Sequence, residues 1–196
     1  MRRLLLILLT ILSGCSSSTE ATLAPQDVLI VAEIKDQDGL EFAQTIVDSA
    51  TKQVSLESKF HFATLNPDGL HVVHSSTLDE AVIRGLNQSL KATGIASKTS
   101  LIDALTWIGT TCRDRRDQPL RAILVTSGTS DEAVLKSMSD VATSSLMPCS
   151  NLKLAVVGLS PKNSIPTTAT LHSIRNRVVS GRSEGESRNV IQSFLE

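Results

Sequence analysis

Val28-Leu29-Ile30-Val31-Ala32-Glu33-Ile34 is an apolar run interrupted only at Glu33, and it lacks the alternation of a strand with one face in water. A strand of this kind is covered on both faces, as parallel strands are when helices pack above and below the sheet. Beyond Gly39 the period changes: Leu40, Ala43, Ile46, Val47 and Ala50 follow helical spacing, so a helix is expected to about residue 54. Residues 60–65 and 70–74 flank Asn66-Pro67-Asp68-Gly69, whose Pro and Asp-Gly suit a tight turn. These two runs form a hairpin, so one strand is antiparallel. Thr77 opens a second helical stretch carrying Leu78, Ala81, Val82, Leu86 and Leu90, and residues 100–111 form a third after a loop at 94–99. Residues 122–126 and 154–159 read as further buried parallel strands, separated by a helix over 131–145 with Ala133, Val134, Met138 and Val141 at core spacing. A short strand around Val178-Val179 and a helix over 188–195 follow. The order β-α-β-β-α-α-β-α-β-α-β-α predicts an α/β fold: a doubly wound, mostly parallel sheet with one antiparallel strand and helices on both faces.

Composition agrees with that architecture. Four Phe, one Trp and no Tyr leave the core to Leu, Ile, Val and Ala, as in α/β interiors. Without Arg2 and Arg3, 17 basic residues face 20 acidic ones, a net charge of −3 that provides no footprint for nucleic acid. One domain is expected, and no internal repeat is visible.

The N-terminus carries a different signal. Arg2 and Arg3 precede an apolar run over 4–12 that only Thr10 interrupts, and Leu12-Ser13-Gly14-Cys15 follows with small residues before the cysteine. The run is too short to span a bilayer. This stretch resembles a bacterial lipobox. The resemblance implies a lipoprotein signal peptide over 1–14 and lipidation of Cys15 with two or three acyl chains, enough for a lasting membrane anchor. Residues 15–26, serine-rich with Pro25 near the end, then read as a lipidated polar tether, and 27–196 as the folded domain. Ser16 stands where an Asp would mark inner-membrane retention, so the resemblance favours the outer membrane, facing the periplasm, in a source with two membranes.

The element order, the early hairpin and Lys98-Thr99-Ser100-Leu101-Ile102-Asp103-Ala104-Leu105 at the start of a helix resemble the von Willebrand factor A-type domain over residues 27–196. In that family three loops at the carboxyl edge of the sheet form a metal-ion-dependent adhesion site. An Asp-x-Ser-x-Ser motif follows the first strand, a Thr stands five residues before an Ala-Leu pair, and an Asp-Gly pair ends the fourth strand. Thr99 matches the Thr, with Ser100 beside it. At the first motif Glu33, Lys35 and Gln37 stand in register with the Asp and the two Ser, and Ser127 stands where the Asp of Asp-Gly belongs. Mg²⁺ needs a shell of hard oxygens. An ammonium about 4 Å from a divalent ion would repel it by roughly 8 kcal/mol at an effective dielectric of 20. The resemblance therefore implies a degenerate site over Glu33, Lys35, Gln37, Thr99, Ser100 and Ser127, with no metal or other cofactor. In one reading Lys35 replaces the ion and pairs with Glu33, which shares its side of an extended backbone, while Thr99 and Gln37 hydrogen-bond nearby. In a second Lys35 points into solvent from a polar loop. In a third a shifted register uses Asp36 and Asp38 as an acidic pair.

Other motifs carry less. Asp36-Gln37-Asp38-Gly39 has the start of a calcium loop, but the twelfth position is Thr45 rather than Glu. His61, His71 and His74 are expected at the surface or an edge rather than on zinc. Val125-Thr126-Ser127-Gly128-Thr129 lacks the glycines of a hydrolase elbow. Pro161 fits an ordinary turn, and Arg113-Asp114-Arg115-Arg116-Asp117 a solvated loop. Cys112 and Cys149 are the cysteines left once Cys15 is modified, and in an exported chain they are expected to form a disulfide. The function expected is a non-enzymatic interaction module, held in the bacterial cell envelope by its lipid and binding another envelope or secreted protein. The competing class is an enzyme or small-ligand binder in the crevice at the carboxyl edge.

Overall fold

The computed structural model describes residues 25–66, 68–92, 100–115 and 118–196. The expected signal peptide, Cys15, most of the tether and Thr99 lie outside the described residues. Strand β1 (Asp27–Glu33) is buried along its whole length. It pairs in parallel with β2 (Lys59–Asn66) on one side and β4 (Leu120–Val125) on the other. With β3 (Gly69–Thr77), β5 (Leu152–Val157) and β6 (Val178–Gly181), the sheet runs β3-β2-β1-β4-β5-β6. Only the β2–β3 hairpin is antiparallel. Gly69 closes that hairpin at φ 118°, a backbone region suited to glycine.

Two cores follow from the period of two. Val28, Ile30 and Ala32 point to one face of the sheet, where α1 (Gln37–Gln53), α2 (Glu80–Ala92) and α6 (Glu184–Leu195) supply Ile46, Leu86, Leu90 and Ile191. Leu29 and Val31 point to the other, against α3 (Leu101–Asp114), α4 (Glu132–Val141) and the π-helical turn Ala142–Leu146. Each fully buried aliphatic side chain contributes about 1.5–3 kcal/mol. The expected fold class, doubly wound with helices on both faces, is the one observed, and the elements follow in the expected order.

The differences are local. Thr77 ends β3, in register with Lys59, rather than opening a helix, because ladder pairing outweighs the helical spacing of its neighbours. Helix α2 starts instead at Glu80, with Asp79 accepting from Val82 N at 2.8 Å. Pro161 is not in a turn but opens α5 (Pro161–Ala169), where the missing N–H costs nothing. Helix α6 starts four residues before Arg188, capped by Ser183, because its polar first turn has no apolar period to read. His61 is buried on β2 rather than exposed, with Nδ1 2.8 Å from Ser75 Oγ.

Cys112 and Cys149 are free buried thiols in the structure, where a disulfide is expected from the sequence. Both border one small recess at the amino edge, and the two side chains are near enough to interact. Each sulfur has turned to an oxygen: Cys112 donates to Asn151 Oδ1 at 3.0 Å, and Cys149 to the Ser145 carbonyl at 3.5 Å.

Candidate functional site

Parallel strands bring their carboxyl ends to one edge, and there β1, β4, β5 and β6 surround a cavity of about 260 Å³. Glu33, the last residue of β1, lies at its base with a side chain 2% exposed. A carboxylate so buried is costly unless paired and hydrogen-bonded. Lys35 Nζ stands 3.0 Å from Glu33 Oε1. Thr126, just past β4, donates its hydroxyl to Glu33 Oε2 at 2.6 Å and accepts from Gly128 N at 2.9 Å, so a backbone N–H is relayed to the carboxylate through a side chain. Lys35 also donates to Ser127 Oγ at 3.4 Å, a long contact. The ammonium thus joins the loops after β1 and β4.

Two of the other charged groups around the cavity are tied locally. Asp36 caps α1, accepting from Gly39 N at 2.7 Å. Glu184 is 2.5 Å from Arg188, one turn along α6. The floor is shaped by Gly158, which follows β5 at φ 82°; a Cβ there would come within 2.8 Å of the Phe42 ring. Glycine therefore lets Phe42 of α1 lie over the end of β5.

Of the six residues assigned from sequence to the degenerate loops, Glu33, Lys35 and Ser127 meet in this cavity. Gln37 stands at the first position of α1 and donates to Glu41 Oε1 at 3.1 Å along the helix, away from the cleft. Ser100 caps α3 by accepting from Asp103 N at 3.2 Å. Thr126, Phe42, Gly158 and Arg182 line the cavity without having been singled out. Thr126 had a readable signal, a hydroxyl residue directly after a buried strand and two before a glycine. Phe42 and Arg182 had none, since each reaches the cavity from an element distant in sequence.

As arranged, these residues do not suit a divalent cation. The ammonium occupies the space between the carboxylate of Glu33 and the hydroxyl of Ser127, the two oxygens a metal would need. Among the described residues no cluster of three His, Cys, Asp or Glu side chains could hold a metal. Of the acidic pair in the shifted register, Asp36 accepts from Gly39 N and Asp38 lies in the first turn of α1.

The sheet order and hairpin are those of a von Willebrand factor A-type fold. Solved structures sharing it include a von Willebrand factor type A protein from Catenulispora acidiphila, with TM-score 0.63 and 13% identity over 88% of this chain and 42% of that one. An aerotolerance-related membrane protein from Bacteroides fragilis is similar at TM-score 0.65 and 13% identity, over 87% of this chain and 98% of that one. The pilus adhesin SpaC from Lactobacillus rhamnosus GG is similar at TM-score 0.66 and 9% identity, over 87% of this chain and 30% of that one. The chain thus spans less than half the length of the first and third. No protein-family model matches the sequence, and no curated protein does.

Proposed function

We propose that this chain is a lipid-anchored protein of the bacterial cell envelope that acts as a non-enzymatic protein–protein interaction module. Its contact face is the set of loops at the carboxyl edge, and it engages an envelope or secreted partner without a metal. The observation that carries this reading is Lys35, whose ammonium bonds Glu33 and Ser127 at the centre of that edge. An internal cation holds the loops together and leaves no coordination position for a partner to complete. The fold, shared with an adhesin and with a membrane protein, supports an interaction role. The lipobox-like Leu12-Ser13-Gly14-Cys15 supports anchoring through Cys15, and Ser16 supports the outer membrane.

The test is a photo-crosslinker at Ser127 in the acylated protein, activated in solubilised membranes with and without a chelator. A discrete adduct that survives chelation and is lost in Asp38→Lys is the expected result. No adduct, or one abolished by chelation, contradicts the reading, as does saturable Mg²⁺ or Mn²⁺ binding by calorimetry.

A further inference from the structure

The edge opposite the candidate site has its own chemistry. Arg121 on β4 is in register with Val28 on β1 and with Lys153 on β5. Together with Arg177, just before β6, Arg121 and Lys153 rim a cleft of about 340 Å³ with Val178, Val179, Val190 and Phe194 along its apolar side. Arg177 donates to the Cys149 and Met147 carbonyls, and Arg121 to the Phe194 carbonyl, so both guanidinium groups are fixed in place with further N–H groups left over. Lys153 is exposed and has no partner among the described residues. Beside the cleft, Met147 is 53% exposed.

Arg121 also borders the neighbouring recess, which contains Pro25 and Gln26. The chain therefore leaves the domain beside this cleft, about two strand spacings or roughly 10 Å from Lys153. Pro25 lies ten residues after Cys15. Fully extended they reach at most about 35 Å. An acylated Cys15 would thus hold this edge close to the bilayer, where anionic headgroups attract basic residues within a Debye length of about 8 Å. The charge is biased to match, with the basic residues gathered on the β4–β6 side of the amino edge. Arg113, Arg121, Lys153, Arg175 and Arg177 lie at the amino ends of β4, β5 and β6, with Asp27, Glu57 and Glu196 on the β1 side of the same edge, whereas Asp36, Asp38, Asp131, Glu132 and Glu184 lie at the carboxyl edge beside Lys35 and Arg182.

We propose that the amino edge, centred on the Arg121–Lys153–Arg177 cleft, seats on the anionic phospholipid surface of the membrane that holds the lipid anchor. A headgroup phosphate meets the cationic rim, acyl-chain carbon meets the valines and Phe194, and the acidic carboxyl edge points away from the membrane toward the partner. This rests on the proposed anchoring at Cys15.

The test uses the processed, acylated chain in phosphatidylcholine vesicles with and without phosphatidylglycerol, read by amide hydrogen exchange. Residues 147–153 and 175–179 should exchange more slowly when phosphatidylglycerol is present, and high salt should abolish the difference. Neutralising a basic residue at an anionic surface weakens its attraction about fivefold. Lys153→Gln with Arg175→Gln should therefore remove most of the protection, whereas Lys162→Gln, away from this edge, should not. Equal exchange in both vesicles, on a chain whose mass shows the acyl groups, overturns the docking and leaves the anchor standing. A chain with no acyl mass overturns both. Equal protection by inorganic phosphate in phosphatidylcholine vesicles assigns the cleft to a small anion and overturns the lipid assignment.

Discussion

Lys35 sits between the Glu33 carboxylate and the Ser127 hydroxyl, and its removal has two separable effects. Lys35→Ala leaves Glu33 buried with Thr126 still donating to it, so the loops after β1 and β4 lose their cross-link and the carboxylate its counter-charge. Replacing Lys35 by Ser and Ser127 by Asp does something else: it restores oxygens at two positions where the family pattern has them, around the carboxylate already in place. The double variant should therefore gain saturable Mg²⁺ or Mn²⁺ binding by calorimetry, while Lys35→Ala alone should gain none. Absence of binding in the double variant would show that Thr99 or the loop geometry, and not the ammonium, prevents coordination.

At the scale of elements, the packing of α3 on the π-helical turn depends on Gly109, where a Cβ would fall 2.8 Å from that of Ser145. One turn further along α3, burial together with the contact with Cys149 raises the Cys112 thiol to about 12. Thiolate is the reactive form. In the folded, reduced protein Cys112 should therefore alkylate roughly a hundredfold or more slowly at mildly alkaline pH than in denaturant, followed by mass spectrometry. Absence of titratable thiols in the denatured, unreduced mature protein would show instead that the two are joined. The elements themselves were largely legible, because buried parallel strands and amphipathic helices impose distinct periods. Thr77 was not, since its strand pairing with Lys59 is a tertiary fact. The polar first turn of α6 was not, since a cap at Ser183 rather than an apolar period defines it. The site was legible only in part for a similar reason: Glu33, Lys35 and Ser127 sit at strand ends that the family pattern indexes. Phe42 and Arg182 arrive through the winding of the chain, and Gln37 and Ser100 are diverted to helix starts.

For the whole molecule, the acid side of the stability profile is tied to His61. Burial, reinforced by the charge of Arg115 and partly offset by Asp27, lowers its pKa from 6.5 to about 4. Its Nε2 has no hydrogen-bond partner among the described residues. As pH falls from about 6.5 to about 4, the unfolded chain takes up a proton that the folded chain refuses, so stability falls across that window and the loss is complete below it. The effect is on the order of 2–3 kcal/mol at most. Urea unfolding across the window should give a steeper decline for the wild-type protein than for His61→Gln, and parallel curves would remove His61 from the account.

Strand β1 begins at Asp27, which Arg115 holds at 2.5 Å, and ends at the Glu33–Lys35 pair. Along its length it is bonded to β2 on one side and β4 on the other, both running the same way. A pull between the tether and a captured partner would therefore pass axially through the central strand. Its ladders on both sides would bear the strain in shear, many bonds at once, rather than peeling open one by one. A sheet strung this way would carry tension along β1 as a stiff rod does, with the edge strands and their helices left slack.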